Sequence, residues 1–512
     1  MKARLAPRVL ENPKDSLLKK GPVMKQNLLL LQVFFAALGL CLTAASPAAA
    51  EASPSRPNVI FILLDNVGQE WFGCYGSEER CTPHLDRLAE SGVRVEHCYT
   101  PPVCGPSRIA LLTGRYPLRT GFTLHHDAAL YSGGGLDPGR ELLFPRLFRE
   151  AGYATAIAGK WQVNNLYDEP DVLTRHGFVE QLVWPGSVDT SKLSDADYAR
   201  FQDAMRRESV EEVTAWTQHI ESRYWDPVFL RNGRRETHPG QYGPDVAQAF
   251  VLDFIRRHRA RPFLLYYPMV LTHGQTATLS VVPTPLNRDP NRSKHEMFAD
   301  MLRYADKLVG DLIRTLDELE LRDNTIVFVA SDNGTEKEMV ARRRGRDVHG
   351  GLYSLNEAGS DVVLLANSPK LIAGGRTLPL ADFTDIYPTV CELAGLPLPK
   401  NVVLDGKSFA AFLRAEPGAK PPREWIFNQY HTTRVVRDER FKLYSDGRLF
   451  DANADPDEQR DVAASTAPDA ISARERLARA LAAMPPDAPP PFLLRSLSGF
   501  KIRTEERAKI QR

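Results

Sequence analysis

Cysteine is scarce in this chain, with six in 512 residues. None forms a CxxC pair and none belongs to a Cys/His ladder, which excludes a structural zinc module. An excess of charge of either sign is also missing. Lys and Arg number 65 against 64 Asp and Glu, for a net charge of +1. No global field therefore gathers nucleic acid or holds a membrane surface, and neither is an expected partner. Internal repeats are absent. The longest apolar run, Leu28–Leu42, falls short of the about 20 residues that a membrane-spanning helix needs. Partners must be read from local sites.

What the sequence does contain begins with that run. Lys25 precedes it and "AASPAAAEAS" follows, the layout of a secretory signal with cleavage after Ala50. Residues 1–50 are thus assigned to a signal peptide, with Met24 as an alternative start. Leu40 stands before Cys41 where a lipid anchor would need a small residue, so stable membrane association is not expected. An exported protein, periplasmic or secreted, is predicted. Five cysteines remain after cleavage: Cys74, Cys81, Cys98, Cys104 and Cys391. An odd count in an exported chain leaves one thiol for another task. Cys74 and Cys81 are candidates to pair, but their spacing alone does not decide it.

Strands and helices alternate along the next 370 residues or so. "RPNVIFILLD" (56–65), "YATAIAGKW" (153–161), "RPFLLYYPMVLTH" (261–273), "NTIVFVASDNG" (324–334) and "DVVLLAN" (361–367) are apolar without alternation, as in strands buried on both faces. Thr82-Pro83 reads as a helix start, with Thr at the N-cap and Pro at the first helical position. Met297, Met301, Leu308, Leu312, Leu316 and Leu319 mark a second helix. The expectation is a doubly wound, largely parallel α/β sheet flanked by helices over residues 51–420. A small C-terminal α+β domain is expected over 421–512. "RFKLYSDGRLFD" supplies its hairpin, a helix near Ala470–Met484 follows, and a Pro-rich tail ends it.

Open α/β sheets bind ligands at the carboxyl ends of their strands. Here those ends deliver Asp65-Asn66, Lys160, His273 and Asp332-Asn333. Two Asp and two Asn offer hard oxygen donors suited to calcium or magnesium rather than zinc. Cys104 opens an apolar helix-like run in "VCGPSRIALLTGRYP", where the helix N-terminus favours an anion. The residues alone predict a divalent-metal site for an anionic, tetrahedral substrate.

"CGPSR" followed by "LLTGR" resembles the C-x-P-S-R-x-x-x-L-T-G-R signature of the sulfatases, in the alkaline phosphatase superfamily. "PNVIFILLDN", "GKW", "LTH" and "SDNG" resemble the family's other blocks, in the same order. The resemblance implies that a formylglycine-generating enzyme oxidises Cys104 to an aldehyde, whose hydrate attacks sulfur and holds the sulfate covalently until the second hydroxyl loses its proton. By matching position, Asp65, Asn66, Asp332, Asn333 and residue 104 would hold calcium, with magnesium as the alternative. Arg108 would orient the hydrate, Lys160 would bind sulfate and His273 would protonate the leaving alcohol.

Three positions depart from the family pattern. Asn66 stands where a second aspartate is usual and removes one negative charge from the metal site. Gln162 follows "GKW" where histidine is common, so the base that releases sulfate is missing there. Leu352 replaces a sulfate-binding lysine, and nearby His349 is the expected substitute. Gln162 and His349 are accordingly assigned to substrate binding. Trp184, Trp216, Tyr224 and Trp225 sit in a polar insertion where they either stack on a sugar or anchor the loop. Arg342-Arg343-Arg344 either meets a second sulfate or is a solvated charge run, and His125-His126 either lines the pocket mouth or is plain surface. The expected reaction is hydrolysis of a sulfate ester on a sulfated carbohydrate. Alternatives are a phosphate or phosphonate ester hydrolase with the same site, and a degenerate sulfatase that binds sulfated glycans.

Overall fold

The computed structural model describes residues 56–126, 134–189, 193–206, 216–275 and 281–492. The expected signal peptide, Met24 and Cys41 lie outside them. The described residues form one compact unit.

Among the described residues, an eleven-stranded sheet runs through the unit. Its strands are β1 (Asn58–Leu64), β2 (Val93–Tyr99), β3 (Ala154–Lys160), β4 (Glu180–Trp184), β5 (Val228–Arg231), β6 (Arg234–Thr237), β7 (Phe263–Pro268), β8 (Thr325–Ser331) and, beyond a separate two-stranded hairpin of β9 (Val340–Arg343) and β10 (Arg346–His349), β11 (Asp361–Val362), β12 (Leu364–Asn367) and β13 (Arg376–Asp382). The order is β11-β2-β12-β8-β1-β7-β3-β4-β5-β6, with β13 beside β2. The centre, β8-β1-β7-β3-β4, is parallel throughout. Every residue of β1, β3, β7 and β8 is buried, the two-sided covering that their unalternating apolar composition requires.

The run 361–367 differs from the expected parallel strand. It is broken into β11 and β12, and both pair antiparallel, β12 with β2 and β8. Burial on both faces produces the same apolar run in either direction, so composition does not carry strand polarity.

Helix α1 (Pro83–Glu90) has Pro at its start and Thr82 at its N-cap position, but the Thr82 side chain makes no cap bond. It donates to Asp86 and accepts from the Gly73 N–H. The first-turn N–H groups of His84 and Leu85 donate instead to Asp306 at 2.9–3.1 Å. Asp306 lies on the long helix α2 (Lys294–Glu318), which opens with a Ser293/Glu296 capping box. Burial raises the Asp306 carboxyl to about 6.

A four-stranded antiparallel sheet follows: β14 (Ile426–Tyr430), β15 (Thr433–Arg437), β16 (Phe441–Tyr444) and β17 (Leu449–Asp451). Asp446-Gly447 makes the β16–β17 turn, with Gly447 at φ 93° where a side chain would be strained. Helix α3 (Pro468–Ala482) packs Ala470, Ala473 and Leu477 against this sheet's Val436 and Leu443. Cys74, Cys81, Cys98, Cys104 and Cys391 are all free thiols.

Candidate active site

The ends of the parallel strands are tied together by backbone. The Asp65 N–H donates to Leu271 O at 2.9 Å, Thr272 N–H to Asp65 O at 2.8 Å, and Asp332 N–H to Leu64 O at 3.0 Å. Asn66 lies at φ 57°, a left-handed conformation that Asn tolerates better than most side chains. There its N–H donates to Asp332 Oδ1 at 3.1 Å. Gly334 is required beyond Asn333, because a Cβ would come 1.9 Å from Ala358 O.

The site helix runs Cys104–Thr113 with all ten residues buried, and ends at Gly114 at φ 66°. Pro106 falls in its first turn, where a missing N–H costs little. Ser107 Oγ lies 2.6 Å from Thr100 Oγ1 and also donates to the Asp332 carbonyl, tying the helix start to the β8 end.

This arrangement brings four of the expected residues into one buried ion cluster. Arg108, 1% exposed, reaches Asp332 Oδ2 at 2.7 Å, Asp65 Oδ2 at 3.2 Å and the Lys160 carbonyl at 3.1 Å. Lys160 Nζ lies 2.7 Å from Asp65 Oδ2. Asn333 Nδ2 donates to Asn66 Oδ1 at 2.7 Å. Burial alone would raise the Asp65 carboxyl, but Lys160, His273 and Arg108 hold it well below the usual carboxylate range. Asp332 is pushed up to about 6 by burial and by the Asp65 charge. Burial also pushes the Cys104 thiol up to about 11. As a plain thiol it is un-ionised at neutral pH and a poor nucleophile.

The donor set fits a hard divalent cation. Oδ1 of Asp65 and Oδ1 of Asn333 are buried and accept no hydrogen bond, a costly state for polar oxygens that a metal ligand relieves. Two carboxylates face two cationic side chains, so the cluster is near neutral before a dication and an anionic substrate enter. Asn66 Nδ2 donates to Glu336 Oε1 at 3.4 Å. Burial, with the Glu338 and Asp65 charges, raises Glu336 to about 7. Glu336 was not singled out from the sequence, although it stands four residues after Asp332. A different trio, His97, Glu357 and Asp361, is compact enough for an ion. Its atoms are already paired with one another or with Tyr99, Arg437, Lys442 and Gln69.

His273 is half-buried, and its Nδ1–H donates to Gly274 O at 2.8 Å, which leaves Nε2 for proton exchange. Burial and the Lys160 charge lower its pKa well below the usual histidine value. The Tyr224 hydroxyl holds this loop, 2.8 Å from Val270 O and 2.5 Å from His273 O. The insertion aromatics act as anchors here: Trp184 Nε1 donates to Glu221 O and Trp225 Nε1 to Pro283 O. Gln162 is 8% exposed at φ 69°, with Oε1 unbonded. Leu352 is buried, whereas His349 is exposed at the end of β10. The structure does not join His349 by hydrogen bond or ion pair to the cluster. Arg342, Arg343 and Arg344 are engaged with Glu78, Tyr75 O and Glu96 respectively.

The Sulfatase family model matches residues 57–396. The chain is 32% identical over 464 residues to the steryl-sulfatase of Mus musculus, covering 78% of this chain and 72% of that protein. It is 32% identical over 385 residues to the N-acetylgalactosamine-6-sulfatase of Canis lupus familiaris, covering 72% and 67%. Its fold matches a solved structure in complex with its substrate D-glucosamine-2-N,6-O-disulfate, at 20% identity and a TM-score of 0.60 over 84% of this chain and 97% of the other.

Proposed function

The chain belongs to the sulfatase family, and we propose that it removes sulfate from a sulfated carbohydrate after Cys104 has been oxidised to formylglycine by a generating enzyme. The observation that carries this reading is the buried cluster of Asp65, Asp332, Arg108 and Lys160 beside the N-terminus of the helix that Cys104 begins. The relatives acting on N-acetylgalactosamine-6-sulfate and D-glucosamine-2-N,6-O-disulfate favour a sugar as the alcohol. Among the described residues no helix is long and apolar enough to cross a membrane. Export follows from the N-terminal sequence as part of this proposal.

In this reading Asp65, Asn66, Asp332, Asn333 and residue 104 hold calcium, with magnesium as the alternative. The bound cation would supply charge that acidifies the attacking hydroxyl and offsets charge on the sulfate. Arg108 fixes both aspartates, and through its bond to the Lys160 carbonyl it sets the β3 end. Lys160 presents its ammonium to the sulfate oxygens. His273, whose Nε2 is left free by the Nδ1–H bond to Gly274 O, would pass a proton to the departing alcohol once bound sulfate offsets the Lys160 charge that depresses it.

The test is a steady-state comparison of the matured protein on matched aryl sulfate and aryl phosphate, followed by a panel of sulfated polysaccharides. Preference for the sulfate supports the proposal, and preference for the phosphate favours the ester-hydrolase alternative. Saturable glycan binding without turnover would favour the degenerate form.

Asn66→Asp is expected to tighten calcium about 5- to 30-fold, on the order of 1–2 kcal/mol from one added carboxylate partly offset by the loss of the donor to Glu336. Calorimetric titration measures it, and unchanged affinity would remove Asn66 from the ligand set. The same variant should lower metal-free stability, because it sets an acid against Glu336.

A further inference from the structure

Position 162 holds glutamine, which cannot accept a proton at neutral pH, so release of the sulfate needs a base from elsewhere. Beyond the ion cluster and its metal-facing oxygens, Gln162 Oε1 and His125 Nδ1 are buried beside the site with no hydrogen bond. Of these only the imidazole is a neutral proton acceptor. His125 is 8% exposed and follows the site helix in sequence. Its Nδ1 faces the backbone next to the nucleophile position, since a Cβ placed on Gly105 would lie 3.7 Å from it.

The other histidines are occupied or remote. His273 spends Nδ1 on Gly274 O. The His126 ring is stacked on Phe492 at 4.4 Å with 4° between the planes. His349 is exposed on its hairpin. His125 and His273 both feel the Lys160 charge, which lowers the proton affinity of each imidazole.

We propose that His125 is the catalytic base that releases sulfate from residue 104, in place of the histidine that position 162 lacks. This rests on the sulfatase reading above. With residue 104 a hydrated aldehyde carrying sulfate on one oxygen, His125 takes the proton from the remaining hydroxyl. That O–H electron pair becomes the second bond of C=O, the C–O bond to sulfate breaks, and sulfate leaves with its electrons as the dianion. The imidazolium then passes its proton to water, and the aldehyde is restored. Burial, with Lys160 and His126, pushes the free imidazole down to about 3. A bound sulfate against Lys160 offsets part of that charge and raises proton affinity when it is needed.

The test is pre-steady-state hydrolysis of an aryl sulfate by the matured, calcium-loaded protein and its His125→Gln variant. The parent is expected to release alcohol linearly from the start, with no burst. The variant should release one equivalent per enzyme at close to the parental rate, then turn over about 100-fold or more slower. A residue-104 peptide heavier by one SO3 should accumulate in it by mass spectrometry. Adding Gln162→His to His125→Gln should restore turnover and clear the adduct. A burst in the parent would overturn the proposal, as would a variant that turns over like the parent, or one that loses both phases equally without adduct. A variant that fails to fold leaves the parent's burst measurement decisive. Lack of aryl sulfate hydrolysis by matured parent overturns the sulfatase reading itself, a result distinct from all of these.

Discussion

Cys104→Ala is expected to abolish ester hydrolysis, by about 10,000-fold or more, while leaving the fold largely in place. In the proposed reaction the side chain at 104 supplies the hydrated aldehyde that attacks sulfur. Its neighbours Asp65 and Asp332 are committed to Arg108 and Lys160, so no carboxylate stands ready as a substitute nucleophile. Removing one sulfur from a 4% exposed position costs little beyond a small cavity. Stopped assays on purified, matured protein give the activity, and a thermal unfolding curve gives the stability. Peptide mass spectrometry of the parent should find formylglycine at 104 when a generating enzyme is co-expressed. An intact thiol in a fully active parent would end this reading, and so would a variant retaining a tenth of the activity.

Arg108→Met should be damaging in a different way. Arg108 is paired with both Asp65 and Asp332. Its loss leaves two buried carboxylates with one cation between them, and breaking such a pair costs about 3–5 kcal/mol. Hydrolysis should disappear, and chemical denaturation in chelator should show the loss of stability. The sign of the metal effect separates this from simple damage. With a positive charge gone, the site attracts a dication more strongly, so calcium should raise the variant's midpoint by more than it raises the parent's. A variant as stable as the parent in chelator would mean the carboxylates are not held by Arg108.

The strand ends that carry this cluster were legible because a strand buried on both faces must be an unbroken apolar run, and the polar residue that ends it is conspicuous. Asp65, Lys160 and Asp332 stand out in this way. Strand direction was not legible, and the antiparallel pairing of 361–367 shows why: both directions bury the same side chains. Local signals also mislead when a distant element does the work. Thr82 occupies a cap position, yet the cap is Asp306, 224 residues further along. For His125 the sequence left pocket mouth and plain surface open, and its burial, unbonded Nδ1 and close approach to Gly105 mark it in the structure. The insertion aromatics were readable as anchors or sugar platforms; their hydrogen bonds to Glu221 O, Pro283 O and His273 O make Trp184, Trp225 and Tyr224 anchors.

Cys104 packs in one apolar cluster with Leu355, Tyr430, Val435, Tyr444 and Phe450. Four of these five lie on the small C-terminal sheet or its hairpin turnover into β17, more than 300 residues downstream. Under the maturation proposed above, the enzyme that oxidises this thiol would work against a clock. At about 5–20 residues per second, the ribosome supplies those strands roughly 15–65 s after Cys104 emerges, and their docking closes access. A slower generating enzyme, or a chain that folds sooner, leaves a correctly folded but unactivated fraction that no later treatment of the native protein can rescue. Specific activity should then track translation speed rather than expression yield.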